Sequence, residues 1–208
     1  MAFTEVSGPA GRLEALIEEG TTAGVQAAVV LAHPHPQYGG TMHSKVVYQA
    51  AKAFARVGCA VLRFNFRGVG ASAGTFDNGV GEASDFRAAL EFMRARHPSA
   101  RLWSAGYSFG AWIALSVGAA DPAVSTLVGI ATPVGRYELE SVRVSTKPKF
   151  FIHAERDDIC PLKVMQEFYA RCEDPRELVV IDAADHLFDG KASEVGDTIE
   201  DLFMDWEG

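Results

Sequence analysis

The chain has 208 residues, with 19 Lys and Arg against 27 Asp and Glu and a formal net charge of −8. That length suits one α/β domain, residues 1–208, with a full core, and the acidic balance argues against a nucleic-acid or anionic-membrane surface, both of which need a basic face. Cys59, Cys160 and Cys172 are odd in number and too widely spaced for a disulfide framework or a zinc knuckle, which points to reduced thiols in the cytoplasm; no stretch approaches the ~18 apolar residues of a membrane span, and "MAFTEVSGPAGRLEAL" lacks the basic-then-apolar pattern of a secretory signal.

No internal repeat, low-complexity tract or linker interrupts the chain. "RLEALIEE" (12–19) alternates apolar and polar residues as an edge strand does. "VQAAVVLAH" (25–33) is continuous and β-branched, as a strand buried on both faces is. "HSKVVYQAAKAFARVG" (43–58) places Val46, Ala50, Phe54 and Val57 on one helical stripe and stops at Gly58. "CAVLRFNF" (59–66) is a strand, followed by the glycine-rich loop "RGVGASAGTFDNGVG" (67–81). "EASDFRAALEFMRARH" (82–97) is a helix with Phe86, Leu90 and Met93 inward, ended by Pro98. "RLWSAG", "VSTLVGIA", "KFFIHA" and "ELVVIDA" are further strands. Between and after them come the helices "FGAWIALSVGAA", "LKVMQEFYARC" and one within "SEVGDTIEDLFMDW". Such alternation predicts a mostly parallel sheet with helices on both faces. In sheets of that kind chemistry collects at the carboxyl ends of the strands.

Three strand ends carry reactive residues. After "RLWSA" comes "GYSFG" (106–110), a Gly-x-Ser-x-Gly between strand and helix. A nucleophilic serine must stand clear of the sheet on a sharp turn, and small residues two before and two after let neighbouring backbone come close. The helix beginning at Phe109 aims its amino-terminal N–H groups toward the same place. The blander reading is a glycine-bracketed turn with a helix-capping serine. After "KFFIHA" comes "ERDDICP", with Asp157 and Asp158; after "ELVVIDA" comes "ADHLF", with His186 in a loop. Either aspartate could cap the following helix, and a lone loop histidine is most often a surface residue. Together the three positions give the chain order Ser, Asp, His, each in a loop that follows a strand.

With these residues the sequence resembles the α/β-hydrolase superfamily, and is most similar to small lidless serine hydrolases of the dienelactone-hydrolase-like kind. The resemblance runs from about residue 25 to the C-terminal helix and rests on "HPHPQYGG", "FRGVGAS", "GYSFGA", "ERDDICP" and "ADH" together. It implies an α/β-hydrolase fold with no large lid domain, since "TPVGRYELESVRVSTKP" is a short connection where relatives often insert a lid. It also implies Ser108 as nucleophile, His186 as general base and Asp157 as the residue that orients it. The activity implied is hydrolysis of an ester, thioester or similar acyl bond of a small-molecule substrate, without metal or organic cofactor. A non-catalytic scaffold of the same fold that binds a partner is the alternative. The oligomeric state is not legible.

The stretch "HPHPQYGG" (33–40) admits two readings. In the resembled fold this loop supplies one oxyanion N–H and the residue after the nucleophile the other, which implies the backbone N–H groups of His35 and Phe109. Pro34 and Pro36 stiffen the loop, and Gly39 and Gly40 let it turn back into its helix. A His-x-His metal site needs more ligands at a suitable spacing, and the eight-stranded barrels that use it need about 250 residues. Elsewhere, "RGVGAS" lacks the Gly-Lys-Ser/Thr of a phosphate loop, so Arg67 is read as shaping that loop. Glu82 and Asp85 suit a helix start, Cys160 packing, and His153 a buried, hydrogen-bonded place.

Overall fold

In the computed structural model, which describes residues 2–20 and 25–206, the run "AAVVLA" forms strand β3 (Ala27–Ala32) and is buried at every position. Its residues divide between two cores. Ala28, Val30 and Ala32 join one hydrophobic cluster and Ala27, Val29 and Leu31 the other. A strand covered on both faces reads as an unbroken apolar run for this reason.

The other strands are β1 (Ala2–Gly8), β2 (Gly11–Glu18), β4 (Ala60–Phe64), β5 (Arg101–Tyr107), β6 (Val124–Ile130), β7 (Lys149–Ala154) and β8 (Arg176–Ile181). The helices are α1 (Lys45–Arg56), α2 (Val80–Arg96), α3 (Phe109–Ala120), α4 (Glu140–Arg143), α5 (Leu162–Arg171) and α6 (Ala192–Phe203). Among the described residues the eight strands make one sheet in the order β1-β2-β4-β3-β5-β6-β7-β8. It is antiparallel at β1–β2–β4 and parallel from β4 through β8. Helices α2 and α3, with Met165 and Phe168 of α5, cover one face; α1 and α6 cover the other. Winding runs outward from β3 to β4, then crosses back to β5. The carboxyl ends of β3 and β5 therefore flank a topological switch point, where such folds hold their ligands.

Three local features differ from the sequence reading. The strand at 12–19 is not an edge: β2 lies between β1 and β4, and β1 takes the edge. Its polar residues have partners inside the sheet. Glu18, 3% exposed, meets Arg63 of β4, and Glu14 accepts from Asn65 Nδ2 at 2.8 Å and Ala71 N–H at 2.9 Å. Helix α2 starts at Val80, two residues early, because the buried Glu82 carboxylate accepts the N–H groups of Asp77 and Gly79 and closes its first turn. The short α4 lies in the β6–β7 connection, where its four residues are too few to show a helical period. Elsewhere the expected stripes hold: Val46, Ala50 and Phe54 of α1 and Phe86, Leu90 and Met93 of α2 are buried. Gly58, at φ +90°, ends α1 as a left-handed C′ glycine.

Candidate active site

Ser108 joins β5 to α3 with φ 53° and ψ −120°, a conformation that costs a non-glycine residue strain. Its N–H donates to the Ile130 carbonyl of β6 at 2.9 Å, which holds the turn against the sheet. The bracketing glycines are obligatory. A Cβ on Gly106 would stand 2.2 Å from the Gly110 carbonyl oxygen, and one on Gly110 would stand 2.4 Å from that of His33. Ser108 occupies the N-cap of α3, yet its side chain makes no capping bond. The hydroxyl instead lies 2.9 Å from His186 Nε2.

His186 sits beyond β8 and is 7% exposed, not a free surface histidine. Its Nδ1 lies 2.8 Å from Asp157 Oδ2. The other carboxylate oxygen of Asp157 accepts the N–H groups of Ile159 at 2.9 Å and Cys160 at 2.8 Å. Asp157 thus closes its own turn and faces His186 at once, while Asp158 is exposed and neither aspartate caps α5. Burial works to raise the Asp157 pKa, but the bonds from His186 and Cys160 outweigh it and hold the carboxyl below its ordinary value. His153 is fully buried behind this loop, its Nε2 2.9 Å from the Cys160 carbonyl; burial lowers its pKa, which keeps it a neutral donor. The Cys160 thiol is buried and pushed up to about 11, first by burial and then by the charge of Asp157, which makes it inert packing.

The loop after β3 has both histidines in structural use. His33 is wholly buried: Nδ1 lies 2.6 Å from the Pro34 carbonyl and Nε2 accepts the Phe66 N–H at 3.1 Å. Both ring nitrogens are therefore taken by backbone, and burial pushes its pKa down to about 4. His35 precedes a 3₁₀ turn at Pro36–Tyr38, and its carbonyl accepts the N–H groups of Tyr38 and Gly40. Gly39 takes φ +80°, and a Cβ on Gly40 would collide with the Pro34 carbonyl at 2.1 Å, so both glycines are required. The His35 ring rests 4.8 Å from the Phe109 ring, which brings the loop over the start of α3. Among the described residues no three His, Cys, Asp or Glu are grouped to hold a metal ion.

Sequence reading missed the far anchor of this loop. Met42 donates its N–H to Asn65 Oδ1 at 2.9 Å, and its carbonyl accepts from Arg63 Nη1 at 2.8 Å. The available signal was the pair of polar residues inside "LRFNF", out of place in an apolar strand. Arg67 does shape the following loop, pairing with buried Asp85 at 2.7 Å. Around Ser108 these loops enclose a cleft of about 820 Å³. His35, Tyr38, Tyr107, Phe109 and Tyr137 line it together with Lys45, Arg136 and the carboxylates of Asp158, Asp185 and Asp189.

Residues 23–141 match the family described as serine aminopeptidase, S33. The chain is 37% identical over 207 residues to uncharacterized protein RP471 of Rickettsia prowazekii, a match covering 95% of this chain and 87% of that protein. Its fold is similar to that of an α/β serine hydrolase homologue from Coxiella burnetii, with a TM-score of 0.92, 34% identity, and coverage of 97% of this chain and 96% of the other. It is also similar to XC6422 of Xanthomonas campestris, described as an α/β serine hydrolase without lid, with a TM-score of 0.89, 34% identity, and coverage of 96% and 92%. A strained serine between β5 and α3, an eight-stranded α/β-hydrolase sheet and matches of this extent agree: the chain belongs to the α/β serine hydrolases.

Proposed function

We propose that the protein hydrolyses a carboxylic ester, thioester or similarly activated acyl group of a small molecule through a Ser108–His186–Asp157 triad and an acyl-enzyme. The observation that carries this reading is the unbroken hydrogen-bonded line from Ser108 Oγ through both nitrogens of His186 to Asp157, reaching into the cleft. Ser108 attacks the carbonyl as His186 Nε2 takes its proton. Asp157 keeps the Nδ1–H tautomer in place and stabilises the imidazolium. The oxyanion is met by the backbone N–H groups of Phe109 and His35. Phe109 is the first residue of α3, so its N–H has no acceptor within the helix and Ser108 leaves it uncapped. His186 returns the proton to the leaving group, then activates the water that releases the acyl chain.

A fluorophosphonate probe tests the nucleophile, and a panel of chromogenic esters of graded acyl length, with peptide amides alongside, tests the bond cleaved. Labelling at Ser108 and ester turnover are expected, both lost in Ser108→Ala, with kcat down at least ~10³-fold because the three residues act as a unit. A folded protein that takes no label and turns over no acyl substrate would instead fit the partner-binding scaffold.

A further inference from the structure

The short β6–β7 connection builds one wall of the cleft. Pro133 to Arg136 is a tight turn, in which the Arg136 N–H donates to the Pro133 carbonyl at 3.2 Å and Gly135 takes φ +84°. Val134 and Tyr137 bridge across it. Arg136 Nε donates to the Ile159 carbonyl at 3.0 Å, which ties the turn to the Asp157 loop. On its other side the Tyr137 ring lies flat on Trp112 of α3, with centroids 4.0 Å apart and planes 9° apart. Both rings meet the edge of Phe109, at 6.2 Å and 5.5 Å. Phe109 directly follows Ser108. Tyr137 is thus a half-buried ring held in one plane by Trp112 on one face and Phe109 at its side, and it lines the same cleft as Ser108.

We propose that Tyr137, backed by Trp112, is a stacking platform for a planar aromatic ring on the substrate, so that the site favours aromatic esters over their saturated equivalents. The proposal rests on the acyl-hydrolase reading above. Offset-stacked rings gain free energy beyond the area they bury. A ring already fixed by its neighbours loses no further side-chain freedom when a ligand settles on it. His35 and Tyr38, with ring centroids 4.8 Å apart, face the cleft from the loop after β3. An aliphatic wall would serve an alkyl chain equally well; a wall of oriented rings does not treat flat and puckered groups alike.

Isosteric pairs on the wild-type protein test this. p-Nitrophenyl phenylacetate against p-nitrophenyl cyclohexylacetate probes the acyl side, and benzyl acetate against cyclohexylmethyl acetate probes the alkoxy side. Each ratio of kcat/KM is divided by the same pair's ratio of hydroxide-catalysed rates, which removes the greater intrinsic reactivity of the phenyl-bearing esters. In at least one pair the aromatic member should then lead by about 3- to 10-fold, the range stacking adds to area burial, and Tyr137→Leu should bring that corrected ratio to parity. Parity or a cyclohexyl lead in both pairs overturns the platform, and a lead that survives in Tyr137→Leu removes it from Tyr137. If the wild type turns over none of the four, the acyl-hydrolase reading fails on its own. The platform is then read, as it also is if Tyr137→Leu does not fold, from the wild type's Kd values for phenylacetamide and cyclohexylacetamide, followed at the Trp112 indole N–H resonance. Binding of the aromatic amide tighter by about threefold or more supports the platform, and equal binding overturns it.

Discussion

The Tyr107 hydroxyl donates to the main-chain carbonyl of His186 at 2.9 Å. The residue beside Ser108 therefore holds the loop that brings His186 to Ser108. Burial, then the nearby charges of Asp157 and Asp185, raise the Tyr107 pKa above its ordinary value, so the phenol stays a donor across the neutral range. Tyr107→Phe keeps the ring and deletes only this bond. It should cost about 1 kcal/mol of stability, the net worth of one such bond. It should lower kcat about tenfold with KM within about twofold, because the imidazole loses a restraint that sets its distance to Ser108. Steady-state kinetics on the folded variant check this; an unchanged kcat would show that the loop needs no such clamp.

Asp157, not Asp158, should carry the larger mutational effect. Asp157 is 4% exposed and bonded to His186, Ile159 and Cys160, whereas Asp158 is exposed to the cleft. Asp157→Asn replaces an acceptor with an amide that cannot stabilise the imidazolium and can favour the wrong tautomer, so kcat should fall by about 10³- to 10⁴-fold. Asp158→Asn should stay within about tenfold of wild type. A reversed order would move the orienting role by one residue.

What the sequence made legible was the set of positions where one strand hands over to a loop. Largely apolar runs located β3, β5, β7 and β8, and the candidate residues lie within a few positions of the ends of these runs, so the strand-end positions of the His35 loop, Ser108, Asp157 and His186 were legible without a structure. The restraints between those positions were not legible. Tyr107 reaches His186 across 79 positions, Arg63 reaches Met42 across 21, and Trp112 meets Tyr137 through two separate elements. Such contacts leave no local periodicity. The edge strand β1 was missed for a related reason: alternation in β2 suggested an edge, but its acids were paired with Arg63 and Asn65 inside the sheet.

His33 should make the fold sensitive to mild acid. Its pKa falls from about 6.5 in the unfolded chain to about 4 in the fold, because burial excludes the charged ring. Above about pH 6.5 neither state holds the proton and His33 costs nothing. Between about 6.5 and 4 the unfolded chain binds a proton that the folded chain refuses, so stability drops as pH falls, by about 2 kcal/mol at pH 5 and about 3 kcal/mol in full. His153, also lowered by burial, acts in the same direction. Urea unfolding midpoints at pH 7.5 and 5.0 should show the drop, and the His33 ring resonances should not titrate above pH 5. A His33 that titrates near 6.5 in the folded protein would remove the argument.

The His35 loop separates an oxyanion role from a metal role by mutation. If His35 serves through its backbone N–H, the imidazole is replaceable. His35→Ala keeps the N–H, and the carbonyl that accepts from Tyr38 and Gly40 is unchanged. What it loses is the Nδ1 acceptor for Gln37 N–H, a group open to solvent, and ring contacts with Phe109, Phe76 and Tyr38. Activity toward a small acyl ester should therefore stay within about tenfold. His35→Pro loses those same ring contacts and deletes the backbone donor as well, so its comparison with His35→Ala isolates the N–H. The φ of His35 is −54°, inside the range proline adopts, so the ring strains that torsion little. Its kcat should fall about 10²- to 10³-fold, the cost of one oxyanion donor, and circular dichroism should show the fold retained. A metal role makes the opposite forecast, with alanine as damaging as proline and chelator silencing the wild type. His33 cannot supply the second ligand while its two nitrogens are bonded to Pro34 and Phe66. Ester hydrolysis by the wild type after prolonged chelation should thus be undiminished, and a loss restored by added divalent metal would assign this loop to metal binding instead.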